Sequence, residues 1–311
     1  MHSVVVPVYN EVEGIEAFHA RCSVAMEAIG DRFEIVYVDD GSRDGSWLKL
    51  QSIAEADDRV RLVRFSRNFG HQLAITAGIE HATGDTVTVI DSDLQDPPEV
   101  IAEFVARWRE GADIVYGARS VRHGESWFKL ASAKVFYRVM RSLSDVDMPV
   151  DAGDFRLLSR RAAEALKSMP EHHRYVRGMV AWLGFDAVEV EYVRDARVAG
   201  VTKYPLAKMI RFATDGIMAF SVRPLRLATW LGLFVSATAF VTAIVLVIMK
   251  LTGSAVVQGW TSLSVLVLLL SGVQLMTIGA LGEYIGRIYT EVRHRPLYLV
   301  RELKGFPRKD A

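Results

Sequence analysis

The sequence predicts an α/β protein with a mostly parallel sheet, followed by a two-helix hairpin in a membrane. Three observations lead there. Short apolar runs alternate with helical patterns through the N-terminal part of the chain. Several of those runs end in a cluster of acidic and small polar residues. Further along, charge vanishes: Leu227–Met249 carries none in 23 residues, and Leu251–Gly282 none in 32.

The strands are expected at Ser3–Val8, Phe33–Asp39, Val60–Phe65, Thr86–Asp91 and Asp113–Tyr116, and the helices at Glu13–Ile29, Ser46–Ala56, Gln72–His81 and Pro97–Trp108. Runs without polar alternation, separated by helices, are the mark of a parallel sheet covered on both faces. Pro97-Pro98 marks a helix start, since proline is tolerated in the first turn.

The chain has 311 residues, with 37 basic and 37 acidic, but the balance is local. Residues 1–193 hold 22 basic and 31 acidic side chains, a net of −9. Residues 194–226 and 287–309 each hold 7 basic and 2 acidic, a net of +5. Between these collars, residues 227–286 contain only Lys250 and Glu283. A helix needs ~20 apolar residues to cross a bilayer, so spans are expected at about 227–249 and 263–285. The positive-inside rule puts both collars in the cytoplasm. Met1-His2 leads directly into an apolar strand, with no basic segment or cleavage pattern. The expected division is therefore a cytoplasmic catalytic domain (1–203), a juxtamembrane amphipathic segment (204–226), the hairpin (227–286) and a basic cytoplasmic tail (287–311).

Composition excludes disorder, collagen and a disulfide scaffold, since Cys22 is the single cysteine. Cys22 itself reads as a small core residue. A dinucleotide site needs G-x-G-x-x-G after the first strand; this chain has Pro7-Val-Tyr-Asn-Glu11, which disfavours NAD. His172-His173 lacks ligand spacing for zinc. His71 reads as a brace for the Arg67-Asn-Phe-Gly turn.

In open α/β sheets ligands bind beyond the carboxyl ends of the strands. Asp91-x-Asp93 lies there, and residues two apart in extended chain share a face. Two carboxylates so placed suit a hard cation that also binds substrate phosphates.

The motifs P-V-Y-N-E, V-D-D-G-S-x-D, D-S-D-L-Q-D-P-P, G-A-R and G-V-T-K-Y, in this order, resemble the inverting glycosyltransferases of family two, which have the GT-A fold. With two C-terminal spans, the whole chain resembles the polyprenyl-phosphate glycosyltransferases, among them bactoprenol glucosyltransferases and dolichol-phosphate mannose synthases. No glutamine begins the Q-x-x-R-W motif of processive synthases, so a single sugar transfer is expected.

The resemblance implies that Pro7, Tyr9, Glu11, Val38 and Asp40 hold the nucleoside. It places Asp91, Ser92, Asp93 and Gln95 at the diphosphate and a divalent cation, Mg²⁺ or Mn²⁺, with Asp93 the direct ligand. Arg119, Arg197 and Lys203 match positions around the donor phosphates. In Asp151-Ala-Gly-Asp154-Phe-Arg156 the resemblance marks the acceptor side, with Asp151 and Asp154 competing for the place nearest the reaction and Arg156 beside them. The stretch 119–141 carries six basic residues against Glu125. Lys129, Lys134 and Arg138 are its candidates for a lipid phosphate, as cations that can position one.

The expected activity moves one sugar, UDP-glucose being the first donor and GDP-mannose the alternative, onto undecaprenyl phosphate with inversion. A catalytically silent nucleotide-sugar scaffold is the competing class. The setting expected is the bacterial cytoplasmic membrane, with both termini cytoplasmic. A homo-oligomer is expected, and no nucleic acid partner.

Overall fold

The computed structural model describes residues 1–119, 152–172, 174–194, 223–252 and 259–306. The chain divides into a sheet unit, to which residues from Arg295 onward return, and a separate helical unit.

Five strands and four helices open the sheet unit: β1 (His2–Val8), α1 (Ile15–Ile29), β2 (Phe33–Asp39), α2 (Ser46–Ala56), β3 (Val60–Phe65), α3 (His71–His81), β4 (Thr86–Val89), α4 (Ile101–Arg109) and β5 (Ile114–Arg119). After the undescribed stretch come β6 (Ala152–Ser159), α5 (Arg160–Lys167), α6 (Val176–Trp182) and β7 (Ala187–Tyr192), and after the helical unit β8 (Val300–Lys304). The sheet order is β7-β5-β6-β4-β1-β2-β3-β8. β1 lies parallel to β2 and β4, and β2 to β3, while β6 and β8 run antiparallel to their neighbours.

Every residue of β1 and β2 is buried, as two-sided coverage requires. α1 turns Ile15, Phe18, Cys22 and Met26 to the core at helical spacing. It ends at Gly30, whose φ of 82° closes the last turn as only glycine does cheaply. At Gly78 of α3 an added Cβ would lie 2.1 Å from Val5 Cγ1, so this glycine sets how closely the helix approaches β1. Ser159 caps α5, its Oγ accepting from Ala162 N at 3.2 Å.

The α/β expectation holds, with four corrections. β4 stops at Val89 rather than Asp91, freeing Ile90–Asp96 as a loop. β5 runs past Tyr116 to Arg119. A short 3₁₀ turn over Pro98–Val100 precedes α4. The region after Arg295, expected as a tail, instead supplies β8 to the sheet. β8 pairs with β3 from Leu62↔Lys304 to Phe65↔Val300. Five residues pairing on an open edge carry too little periodicity to stand out from a charged tail.

In the helical unit, α7 (Arg223–Leu251) and α8 (Trp260–Val292) are 29 and 33 residues long and pack on each other. Trp230, Phe234, Phe240, Leu275, Met276 and Ile285 face outward. The Thr229, Thr238, Thr242 and Thr277 hydroxyls donate to the carbonyl four residues back. Among the described residues, no helix is long and apolar enough to cross a membrane; several side chains within both helices lie outside that set. The juxtamembrane segment lies outside it as far as residue 222.

Candidate active site

The first two strands end in loops laced together. Asn10 N donates to Ser42 Oγ, Glu11 N to Ser46 Oγ and Val12 N to Asp44 Oδ2, at 3.0–3.1 Å. Arg43 N returns a bond to Asn10 Oδ1 at 2.9 Å. Asn10 has φ of 56°, a conformation a short polar side chain tolerates. Pro7 and Val38 are buried neighbours across the β1–β2 ladder, whereas Tyr9 is half-exposed at its rim.

Asp40 is buried, and both its oxygens serve the loop after β3. Phe69 N donates to Oδ1 at 2.6 Å, and Gly70 N and Asn68 Nδ2 donate to Oδ2 at 2.9 Å. Burial pushes its carboxyl above the ordinary value, and the Phe69 and Gly70 backbone donors pull part of the shift back. Gly41 follows with φ of 72°, and a Cβ there would lie 2.5 Å from the Arg67 carbonyl carbon. Any nucleoside contact by Asp40 would thus share oxygens already engaged.

The loop after β4 carries the paired carboxylates. Asp93 Oδ1 accepts from Gln95 N at 3.1 Å, Ser92 is buried, and Leu94 has φ of 57°. Asp96 is buried, accepting from Tyr192 Oη at 2.5 Å with Arg194 Nε 3.4 Å away. Burial, and then the surrounding Asp154, Asp96 and Asp93 charges, push the Asp91 carboxyl up to about 6 against the pull of His71.

Across from Asp91 stands Asp154 on β6, 8% exposed and gripped by Arg177 of α6. Arg177 Nε donates to Oδ1 and Nη2 to Oδ2, both at 2.8 Å. Burial opposes the Asp154 charge, but Arg177, His71 and Arg156 together hold its carboxyl far below the usual range. Both Asp154 oxygens are thus committed to the Arg177 guanidinium. His71 Nε2 bridges the two sides, 3.6 Å from Asp91 Oδ1 and 3.4 Å from Asp154 Oδ2. Although burial disfavours its charged form, those two carboxylates raise its pKa.

Arg156 is buried, with Nη2 donating to Gly153 O at 2.6 Å. It lies two residues along the same strand from Asp154 and contributes charge rather than an open edge. Burial brings its pKa down to about 10.

A cation fits this donor set in chemistry: Asp91 is a carboxylate whose charge burial disfavours, with Asp93 two residues on. Among the described residues, no three or more His, Cys, Asp or Glu side chains gather as a self-sufficient metal cage. Mg²⁺-type sites use one or two carboxylates and take their remaining oxygens from water and substrate phosphate.

Asp151, Lys129, Lys134, Arg138, Arg197 and Lys203 lie outside the described residues, as does the Arg119 side chain, whose backbone closes β5 opposite Tyr192. His71 and Arg177 are the residues sequence reasoning missed. His71 was legible only as a brace for the Arg67-Asn-Phe-Gly turn; its bridge between two carboxylates was not. Arg177, on a short helix three residues beyond Arg174, gives no sequence signal.

The family model "Glycosyl transferase family 2" matches residues 3–167. An uncharacterised glycosyltransferase of Bacillus subtilis, YkcC, is 46% identical over 308 residues, covering 99% of this chain and 95% of the relative. The bactoprenol glucosyl transferase of Shigella phage SfV is 42% identical over 302 residues, covering 97% and 98%. Among solved structures, glucosyl-3-phosphoglycerate synthase from Mycobacterium tuberculosis, in complex with Mn²⁺, uridine diphosphate and phosphoglyceric acid, superposes with a TM-score of 0.49. It has 22% identity, over 70% of this chain and 76% of that one.

Proposed function

The chain belongs to glycosyl transferase family 2, and from that premise we propose that it transfers one sugar, glucose from UDP-glucose, to undecaprenyl phosphate with inversion. The observation that carries this is the Asp91–Asp93 loop facing the Asp154–Arg177 pair, in a chain alike over nearly its whole length to bactoprenol glucosyl transferases.

In this reading Asp91 and Asp93, with Gln95 beside them, would hold Mg²⁺ or Mn²⁺, which when bound would supply charge stabilisation for the departing diphosphate. The loops of β1 and β2 hold the nucleoside, with Tyr9 at the rim and Asp40 fixing the loop from Arg67 to Gly70. No strong base is required: the second pKa of a phosphate monoester is ~6, so the acceptor arrives mostly as a dianion. Asp154, kept ionised by Arg177, orients rather than deprotonates. One in-line displacement by that phosphate inverts the anomeric centre.

The helices α7 and α8 are assigned to the bilayer. At 1.5 Å per residue, their 29 and 33 residues exceed the ~30 Å hydrocarbon core. Their outward apolar side chains and self-satisfied threonine hydroxyls suit lipid, where unpaired polar groups are costly. The enzyme then works at the cytoplasmic leaflet, where the acceptor phosphate lies.

Transfer of radiolabel from a panel of UDP- and GDP-sugars to solvent-extractable lipid tests the reading. UDP-glucose is expected to label the lipid with added Mg²⁺ or Mn²⁺. Asp93→Asn should abolish transfer without lowering the melting temperature, because an amide is a poor ligand for a hard cation. Near-wild-type turnover by that variant would sink the metal assignment, and labelling from GDP-mannose alone would replace the donor.

A further inference from the structure

Asp154 and Arg177 do more than pair with each other. Asp154 occupies only two donors of the guanidinium, Nε and Nη2. An arginine presents five N–H donors in a rigid fork, and Arg177 Nη1 has no hydrogen-bond partner among the described residues. The side chain is 34% exposed, while the carboxylate gripping it is 8% exposed. One edge of the fork is thus fixed from within, and the other meets no partner among the described residues.

Charge at this spot is favourable for an anion. Asp154 is paired with the Arg177 guanidinium and also feels the charge of the buried Arg156, and both lower its pKa. The three together carry a net +1, and Arg156 points its Nη2 inward to Gly153 O. The positive charge is therefore presented at Arg177. On the other side of His71 lies Asp91, close enough for its charge to act on Arg177. Asp96, another carboxylate of that loop, is already met by Tyr192 and Arg194.

We propose that Arg177 binds the phosphate of the acceptor lipid through its open edge, with Asp154 as the brace that aims it. This rests on the polyprenyl-phosphate reading above and adds a substrate-touching residue to it. A planar guanidinium suits a phosphate better than an ammonium does, because two parallel N–H groups meet two oxygens. The brace also accounts for a buried carboxylate whose two oxygens are both given to one guanidinium: its work is orientation.

The test uses the full-length protein in detergent, with UDP-glucose, a fixed Mn²⁺ concentration and a short water-soluble isoprenyl phosphate. R177K should raise the acceptor KM by about tenfold or more, the ~1.4 kcal/mol expected of one charge-assisted hydrogen bond. The donor KM should stay within about twofold, since the acceptor phosphate is no part of the donor site. R177A should lose transfer and regain part of it with added guanidinium ion; if R177A does not fold, R177K decides alone. An unchanged acceptor KM with reduced kcat in R177K would overturn the proposal, leaving Arg177 as a positioning residue for Asp154. A raised donor KM would overturn it in favour of the donor diphosphate. A wild-type protein that glycosylates no isoprenyl phosphate would overturn the function and this assignment together, whereas either R177K result against an active wild type overturns only the assignment.

Discussion

Asp40→Asn separates two roles for one carboxylate. The substitution keeps the shape and removes one acceptor. Asp40 accepts from three donors: Phe69 N on one oxygen, Gly70 N and Asn68 Nδ2 on the other. The Asn68 amide can turn round to meet a new NH₂ group, but the two backbone donors cannot. Whichever way the introduced amide is placed, one buried backbone N–H faces another donor. Such an unsatisfied group costs ~1–3 kcal/mol. Neutralising a carboxylate that burial already pushes towards its protonated form returns part of that, leaving about 1–2 kcal/mol. At ~2–4 °C per kcal/mol for a domain of this size, the melting temperature should fall by roughly 2–8 °C. The measurement is thermal unfolding of both proteins without nucleotide, followed by titration with UDP. A lowered melting temperature with a UDP affinity reduced only a few-fold is expected. An unchanged melting temperature with UDP binding lost would refute the loop-brace argument and make Asp40 a direct nucleoside ligand.

Two further predictions follow from the packing. Asp154 has its pKa held far below the ordinary carboxylate value, so its ion pair contributes stability above the unfolded value of ~3.9 and loses it only as pH falls through the depressed folded value. The difference in melting temperature between wild type and Asp154→Asn should therefore persist from about pH 5 to 8, narrowing as pH rises and His71, whose charge Asp154 favours, loses its proton; a difference that vanishes within that range would show the Arg177 pair is not the source. Deleting residues 295–311 removes β8, uncovers the β3 edge and takes away Tyr298, which stacks on Phe65 with ring centroids 4.8 Å apart. That variant should melt lower and aggregate faster than wild type, seen by light scattering during a thermal ramp; equal scattering and melting would mean the edge strand is dispensable.

Much of the architecture was determined by the sequence alone. Phe33–Asp39, Ser46–Ala56 and Val60–Phe65 stand in the structure with their expected bounds. Their hydrophobic runs are continuous, and local periodicity is enough to define them. Asp91 and Asp93 could be singled out from sequence as a candidate cation pair only by their place just past a buried strand, since two acids at that spacing are common. Tertiary structure decided the rest. β6 buries Asp154 and Arg156 in the middle of a strand, a pattern hydropathy reads as exposed and only a partner such as Arg177 makes tolerable. Arg177 reaches Asp154 across 23 residues of chain, and β8 joins β3 across more than 230. No local signal encodes either pairing. Asp40 shows the same division within one residue: its motif marked it as functional, but the direction of its two oxygens depended on where the loop after β3 came to lie. The reason is physical. Burial pattern is written in neighbouring residues, whereas the partner that stabilises a buried charge is supplied by the fold.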